Sequence, residues 1–203
     1  MKFARWSCEG GNKGMCVTEV LLSFGGNIGD TVSIFKRAFR IIVATPFIEK
    51  VFFSRLYRTK PVSDIPQNFY VNAACRFETS LSLRELFGVL QKIERKLGKQ
   101  PKAKNAPRIL DIDILLFGLE ICTDPDLLVP HPKWRDRLFV LEPLSDILSE
   151  LRVPSLKNPQ GFEILRLSDL LRDFVNIEGE DVQVLESASI FDKENMYMCS
   201  LLD

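Results

Sequence analysis

The sequence predicts an α+β domain with the ferredoxin-like order β-α-β-β-α-β, in which two helices back an antiparallel sheet. Three observations support this fold class. Short runs rich in β-branched residues mark four strands, and two segments repeat apolar residues at helical spacing. Stretches rich in glycine or proline separate these segments, as turns and loops require.

The first half of the unit runs from a strand into a helix. A strand is predicted over 17–24, followed by a glycine-rich loop over 25–30 in which Asp30 is placed to cap a helix. Residues 31–44 repeat apolar side chains at helical spacing, and Pro46 ends that helix.

Two further strands are predicted over 51–57 and 69–77. The stretch between them, 59–67, is too rich in proline for regular structure. A capping box from Ser82 to Glu85 then opens a second helix. Its apolar stripe comprises Leu83, Leu86, Phe87, Leu90, Ile93 and Leu97.

Gly98 closes the second helix, and a basic loop over 99–107 leads into a last strand over 108–117. This strand carries Asp111 and Asp113, which share one face because strand side chains alternate. Buried like charges are costly unless a cation lies between them. One interpretation is a site for one or two hard divalent ions, with Mg²⁺ expected. The other is a pair of strand-end aspartates bonded to Arg108 and backbone, and the short motif leaves both open.

The composition suits one domain with extensions. The chain has 203 residues, and 46% of them are hydrophobic, which is enough for a core. We expect a disordered N-terminal arm over 1–16, a main domain over 17–150, and a C-terminal extension or linker over 151–203.

The charge and cysteine content restrict the function classes. Basic and acidic residues number 27 each, so no global field attracts nucleic acid or a membrane surface. No apolar run is long enough to span a bilayer, and the first residues lack the apolar core of a signal peptide. The five cysteines contain no Cys-X-X-Cys pair, which argues for a reducing compartment and against structural zinc. We therefore expect a cytoplasmic protein.

Cationic side chains flank the aspartates in the sequence, as a metal-bound polyphosphate requires. They are Lys99, Lys102, Lys104 and Arg108 before the strand, and His131, Lys133, Arg135 and Arg137 after it. Lysine-rich loops are usually only solvated, so the lysines alone favour a solvated loop over a phosphate site. Glu94 borders the apolar face of its helix, either as a rim residue or as a ligand contact. No Walker loop is present, which excludes a nucleotide site of that type.

Six motifs together resemble the 6-hydroxymethyl-7,8-dihydropterin pyrophosphokinase family of folate biosynthesis. They lie at 25–30, 54–59, 70–74, 107–115, 129–132 and 137–144. The resemblance runs from about Val17 to Ile147, and six motifs in order are far more specific than any one of them.

The resemblance implies transfer of the β,γ-diphosphate of ATP to the pterin hydroxymethyl group, with release of AMP. It implies that Asp111 and Asp113 hold two Mg²⁺ ions and act in catalysis with Arg108. The residues that it assigns to the pterin are Thr59, Val62, Tyr70, Asn72 and Phe139. Those that it assigns to ATP are Phe87, Gln91, Glu94, Lys102, Arg108, His131 and Arg137.

The loop before the metal strand departs from the family pattern. It lacks the two arginines and the tryptophan that often close over ATP there, and lysine offers no bidentate fork in their place. We expect this loop to act as a weak, mobile lid.

The region beyond residue 151 lies outside the resemblance. Apolar residues at helical spacing predict a helix over 162–174, and a short strand is predicted over 181–190. Residues 196–203 resemble the opening β-strand of dihydropteroate synthase, the next folate enzyme, which is fused behind this one in some proteins. An ordinary apolar C-terminus is the alternative.

Two other function classes are compared with the enzyme. A non-catalytic ferredoxin-like ligand-binding module is the alternative to catalysis, since this fold hosts many functions. It does not explain two aspartates on one strand face together with Asn72 and Arg108. An RNA-binding sheet requires a basic face, and the aspartate pair would repel a nucleic-acid backbone.

Overall fold

The computed structural model describes residues 17–61, 66–100, 107–155, 161–174 and 182–185. The predicted arm over 1–16 lies outside these ranges. The elements in chain order are β1 Thr18–Gly26, α1 Thr31–Val43, β2 Ile48–Phe53, β3 Tyr57–Thr59, β4 Tyr70–Thr79, α2 Leu83–Lys96, β5 Asp111–Phe117, β6 Cys122–Asp124, β7 Leu127–Val129, α3 Leu138–Ser145, β8 Glu150–Pro154, β9 Phe162–Arg166, α4 Leu167–Arg172 and β10 Val182–Val184.

Within those ranges, an antiparallel sheet of six strands confirms the predicted α+β fold class. The strand order is β10-β3-β4-β1-β5, and β2 pairs with β4 beside β3. β1 and β4 pair along the whole length of β1, so they form the centre of the sheet. β5 lies at one edge, next to β1. Two hairpins, β6–β7 and β8–β9, lie outside this sheet.

Both predicted helix starts carry their caps. The Asp30 carboxylate accepts the N–H of Ser33 at 3.1 Å at the start of α1. At the start of α2, the N–H of Ser82 donates to Glu85 at 2.8 Å, and the Ser82 side chain caps the N–H of Glu85 in return. Such caps satisfy backbone donors that have no partner within the helix.

The end of α2 determines where the following residues lie. Gly98 has φ of +102°, a left-handed conformation that glycine adopts at low cost. The N–H of Gly98 donates to the carbonyl of Arg95 at 3.1 Å, and the N–H of Lys99 donates to that of Glu94 at 2.9 Å. These two bonds form a Schellman motif, which turns the chain back across the helix end. Lys99 is therefore held next to Glu94.

The sheet buries apolar side chains on both faces. Along β1, Leu22 and Phe24 belong to a cluster with α1 and α2, whereas Leu21 belongs to a cluster with α3 and α4. The Phe39 ring of α1 packs edge-on against Phe24, with 4.9 Å between ring centroids. The alternation of β1 thus secures helices on both sides of the sheet.

The strand predicted over 51–57 is wrong in its extent. Two strands pair with β4 here, β2 up to Phe53 and β3 from Tyr57. The chain leaves the sheet at Ser54, whose hydroxyl accepts the N–H of Ala74 on β4 at 2.8 Å. A side chain thereby takes a bond that a strand would make, and the apolar pattern does not reveal this interruption. Thr59, predicted in the loop, ends β3.

The strand that carries Asp111 and Asp113 was predicted to start at residue 108, which is too early, since β5 begins at Asp111. The carbonyl of Arg108 accepts the N–H groups of Asn27 at 2.8 Å and Ile28 at 3.2 Å. This segment therefore binds the loop after β1 instead of continuing the sheet.

The helix predicted over 162–174 is wrong in its first part. Residues 162–166 form β9, which pairs with β8 along its whole length, and Leu167–Arg172 is helical. Apolar spacing over this stretch fits either period, and the pairing with β8 decides between them. Within the strand predicted over 181–190, Val182–Val184 is confirmed as β10, paired with β3.

The division of the chain at residue 150 stays a prediction. Leu151, Val153 and Leu167 are nevertheless buried in the same cluster as Leu21 of the main sheet. Across the described parts of the chain, no helix combines the length and apolarity that crossing a membrane requires.

Candidate active site

Asp111 and Asp113 lie on β5, at the edge of the sheet. In the pairing with β1, Asp111 is opposite Gly25 and Asp113 is opposite Ser23. Both aspartates are half-buried, and both point to the face of the sheet that packs against α3. Their negative charges therefore lie close together in a partly desolvated place.

A row of residues across three strands links these aspartates to the predicted pterin residues. Asn72 on β4 is opposite Gly25 on β1, which in turn is opposite Asp111 on β5. Since neighbouring strands lie about 4.8 Å apart, the backbones at Asn72 and Asp111 are roughly 10 Å apart. Gly25 carries no side chain, and a Cβ there would lie 3.5 Å from Oδ1 of Asn72. Among the described residues, apart from the neighbours of Gly25 in the chain, no other atom lies within 4 Å of that position, so no side chain fills the face of the sheet between the amide and the carboxylate.

Two protein cations bind Asp111. The Arg108 guanidinium contacts one carboxylate oxygen. The Lys99 Nζ lies 2.5 Å from the other, Oδ1. Sequence reasoning grouped Lys99 with the loop cations that could face a metal-bound polyphosphate and did not predict its contact with Asp111. The signal that places it here is Gly98, because the left-handed turn brings residue 99 back across the helix end.

Asn27 fixes the backbone of Arg108 and was also missed from the sequence. Its Oδ1 accepts the N–H of Arg108 at 2.8 Å, and its own N–H donates to the Arg108 carbonyl at 2.8 Å. Its amide Nδ2 donates to Gln67 at 3.1 Å. The Arg108 Nε is buried and has no hydrogen-bond partner within the described ranges. The sequence did offer a signal for this contact between Asn27 and Arg108, because Asn27 is a short polar residue that follows two glycines.

Glu94 is buried, with 6% of its surface exposed. Its Oε1 accepts the N–H of Ile112 at 2.7 Å and lies 2.7 Å from Lys99 Nζ. β5 is an edge strand, so the N–H of Ile112, which lies between the two aspartates, has no neighbouring strand on that side. The Glu94 carboxylate accepts this N–H instead. Burial raises the pKa of Glu94, against the opposing effect of Lys99. Its predicted role in ATP binding stays a prediction.

The charges of His131 and Arg137 affect the pKa of Asp113. The N–H of His131 donates to the Leu115 carbonyl on β5 at 2.9 Å. Burial, and then repulsion from Asp111, raise the pKa of Asp113, while the positive charges of His131 and Arg137 oppose this. Burial lowers the pKa of His131 below its ordinary value, and the negative charge of Asp113 opposes this.

Among the predicted pterin residues, Thr59 contacts Asn72 directly, and Tyr70 pairs with Thr59 across β3 and β4. The Asn72 side chain is 3% exposed, and its Nδ2 donates to Thr59 Oγ1 at 2.8 Å. The Tyr70 hydroxyl donates to Gln67 at 3.1 Å. Phe139 is half-buried on α3, with the Arg137 guanidinium 5.5 Å from its ring centroid. Val62 lies outside the described residues.

The remaining predicted ATP residues lie on α2 or outside the described ranges. Gln91 and Phe87 are half-buried on α2, about one and two turns before Glu94. Lys102 and residues 101–105 of the expected lid over 99–105 lie outside the described residues. A cavity of about 400 Å³ adjoins the loop after β1 and is lined by Asn27, Ile28, Pro66, Gln67, Asn68 and Pro107.

The raised pKa of Asp113 predicts how stability depends on pH. A raised folded-state pKa means that the contribution of Asp113 to stability is fully present below the ordinary value of 3.8 and is lost as pH rises through the raised value. The variant Asp113→Asn cannot ionise, so we expect its unfolding free energy to exceed that of wild type increasingly as pH rises. Urea unfolding from pH 3 to pH 8 measures this difference.

Asp169→Asn is the matched control, because Asp169 is an exposed carboxylate paired with Arg172 at 2.7 Å. We expect it to bring no gain in stability at any pH, since a surface ion pair contributes little. A gap between Asp113→Asn and wild type that shrinks with rising pH would contradict the electrostatic account.

Comparison with known proteins identifies the family of this chain. The family described as 7,8-dihydro-6-hydroxymethylpterin-pyrophosphokinase (HPPK) matches residues 21–149. A 2-amino-4-hydroxy-6-hydroxymethyldihydropteridine pyrophosphokinase from Helicobacter pylori is 41% identical over 128 residues, covering 62% of this chain and 78% of that protein. The protein of the same name from Bacillus subtilis is 31% identical over 161 residues, covering 78% and 96%.

A solved structure shows the same fold. The Plasmodium falciparum HPPK-DHPS A437G protein with pteroate superposes with a TM-score of 0.57 at 16% identity. The match covers 81% of this chain and 44% of that chain, so this chain spans less than half of that fused protein. The family match takes in the aspartate strand, the Asn72 strand and the His131 segment together. The chain therefore belongs to the 7,8-dihydro-6-hydroxymethylpterin-pyrophosphokinase family.

Proposed function

We propose that this chain transfers the diphosphate of ATP to the hydroxyl of 6-hydroxymethyl-7,8-dihydropterin, producing the pterin diphosphate and AMP. The observation that carries the proposal is the row from Asn72 through Gly25 to Asp111 across three strands. It puts a buried amide, suited to a heterocycle edge, and a carboxylate pair, suited to a metal-bound phosphate, on one face of the sheet. A span of roughly 10 Å accommodates a pterin at one end and the reacting phosphates at the other.

Mg²⁺ is part of the proposal, with Asp111 and Asp113 as its ligands. Among the described residues, no group of three or more His, Cys, Asp or Glu side chains is placed to hold a metal. Mg²⁺ fits such a pair, because it is commonly bound through one or two carboxylates plus substrate phosphates and water. When bound, two Mg²⁺ ions would neutralise charge on the triphosphate and help to align it.

The protein groups would then contribute positioning and charge. Arg108, fixed by Asn27, presents a guanidinium beside Asp111 that suits a transferring phosphate. His131 and Arg137 suit the phosphate side near Asp113, and Glu94, Gln91 and Phe87 suit the nucleotide along α2. Asn72, Thr59, Tyr70 and Phe139 suit the pterin. Because the substrate hydroxyl attacks directly, most of the acceleration comes from orientation and charge stabilisation.

The direct test is formation of AMP from ATP with purified protein. We expect AMP only when both the hydroxymethyl pterin and Mg²⁺ are present. AMP at the same rate without the pterin would indicate a different reaction, and no AMP under any condition would favour a non-catalytic binding module.

Asn72→Ala should weaken pterin binding and leave ATP binding nearly unchanged. The loss of a buried hydrogen bond costs about 1–3 kcal/mol, which corresponds to roughly 5- to 150-fold in affinity. Calorimetric titration with each ligand separately measures both effects. Thr59→Val is the matched variant, since it removes the partner that orients the Asn72 amide without touching the aspartates. An equal loss for both ligands would show that the two subsites are wrongly placed.

We also propose a link to a dihydropteroate synthase domain and a cytoplasmic location. The HPPK-DHPS chain that shares this fold supports the first, and the resembling segment 196–203 lies outside the described residues. The free thiols of Cys75 and Cys122 support a reducing compartment.

A further inference from the structure

Glu94, Lys99 and Asp111 form a chain of charged side chains beside the proposed metal site. Lys99 Nζ lies 2.7 Å from Glu94 Oε1 and 2.5 Å from Asp111 Oδ1. The side chains of Glu94, Asp111 and Lys99 are 7%, 19% and 36% exposed. The lysine thus bridges a buried carboxylate and a more open one.

Of the two cations on Asp111, Lys99 is the one that can leave. The Arg108 backbone is held on both sides by Asn27, and its Nε is buried. Lys99 has a flexible four-carbon stem and three donors that rotate freely. If it moves away from Asp111, it keeps its contact with Glu94 and gains exposure to water.

Lys99 and a divalent ion compete electrostatically for the same carboxylate oxygen. Mg²⁺ binds oxygen at about 2.0–2.1 Å. An ammonium 2.5 Å from Asp111 Oδ1 occupies one of the lone pairs of that oxygen and would lie within about 5 Å of an ion bound to it, so the two positive charges would repel each other. The remaining oxygen of Asp111 faces the fixed Arg108 guanidinium.

We propose that Lys99 is a built-in competitor for the metal at Asp111, and that Glu94 is the positioning residue that holds Lys99 in place and receives it when it is displaced. This inference rests on the proposed function, because it requires a divalent ion at Asp111. Its consequence is that the protein binds a bare divalent ion weakly. The metal takes Asp111 readily only when it arrives with nucleotide phosphates, which supply further ligands.

The test is the affinity for Mn²⁺ alone, without nucleotide, measured from the electron paramagnetic resonance signal of the free ion. Mn²⁺ prefers the same carboxylate and water ligands as Mg²⁺. Lys99→Met keeps the length of the side chain but removes its charge, so we expect Mn²⁺ to bind about tenfold more tightly, as expected when one charge-assisted bond no longer competes. Lys96→Met is the matched control, since Lys96 is exposed at the end of the same helix. Lys96→Met removes the same charge, and we expect it to change the affinity for Mn²⁺ by less than about twofold.

Two further variants separate charge from side-chain volume. Lys99→Arg retains a cation and should bind Mn²⁺ as weakly as wild type, while Lys99→Ala should show the gain of Lys99→Met. The Lys99→Ala result also decides the question if Lys99→Met does not fold. The proposal is overturned if neither neutral variant binds Mn²⁺ more tightly than Lys96→Met does, or if Lys99→Arg shows the same gain as they do.

The pterin-dependent AMP assay of the wild-type protein distinguishes this failure from failure of the proposed function. Wild-type activity together with unchanged Mn²⁺ affinity in Lys99→Met overturns the competition alone. An inactive wild type whose Lys99→Met variant binds Mn²⁺ tenfold more tightly overturns the transfer reaction and supports the competition.

Discussion

Replacing Asp113 with asparagine should abolish diphosphate transfer while leaving the protein folded. Metal-assisted charge stabilisation is worth several kcal/mol in a transition state, and each 1.36 kcal/mol is about tenfold in rate. We therefore expect kcat to fall by roughly a thousandfold or more. The fold should persist because the variant removes one of two buried like charges rather than an apolar contact. AMP formation and circular dichroism at pH 7 measure the two quantities.

Asp111→Asn should lose activity to a similar extent but gain no stability. Its carboxylate is paired with Arg108 and Lys99, so the substitution leaves both cations with a weaker partner. Asp169→Asn again serves as the control and should retain full turnover. Turnover within a few-fold of wild type in either site variant would refute the metal assignment.

Gly26→Ala should damage both the stability and the activity. A Cβ at this position would lie 2.5 Å from the carbonyl oxygen of Ile109 and 3.0 Å from Thr31 Cγ2. The first contact is with backbone, which cannot rotate away, so the segment carrying Arg108 must shift. Overpacking of this kind lowers the free energy of unfolding by about 1–3 kcal/mol. For a chain of this size, each kcal/mol lowers Tm by about 2–4 °C. A displacement of about 1 Å at Arg108 can lower kcat roughly a hundredfold.

Gly88→Ala is the matched control for this prediction. Gly88 lies in α2, and a Cβ added there would have no neighbour within 4 Å, so alanine should stabilise the helix by about 1 kcal/mol. Thermal unfolding and AMP formation measure both variants. We expect Tm and kcat to fall together in Gly26→Ala, whereas Gly88→Ala should raise Tm slightly and leave kcat unchanged. Equal Tm values for the two variants would contradict the close approach at Gly26.

The sequence was informative where local chemistry determines local structure. The cap at Asp30 correctly predicted the start of α1. The capping box at Ser82 and the glycine turn at Gly98 correctly predicted the start and the end of α2. Period-two alternation on β5 correctly predicted that Asp111 and Asp113 share a face. These features depend on residues a few positions apart, so the sequence alone can show them.

Features that depend on distant partners were missed. The break between β2 and β3 depends on the Ser54 bond to Ala74, and β9 is a strand because β8 lies beside it. The same holds for Lys99, whose contact with Asp111 requires β5 to lie against the end of α2. Apolar periodicity carries no information about such pairings, and the β6–β7 hairpin and α3 were not predicted for the same reason.

The pairing of β10 with β3 has a consequence for the order in which the molecule assembles. β3 carries Thr59 and is only three residues long, and its outer edge is completed by Val182–Val184, which lie far from it in the sequence. Closing so long a loop for so few hydrogen bonds is entropically expensive, so this pair forms late and opens first. During synthesis, the outer edge of β3 stays uncovered until Val184 has left the ribosome. Amide hydrogens of β10 should accordingly exchange well before those of β1 and β4 at the centre of the sheet.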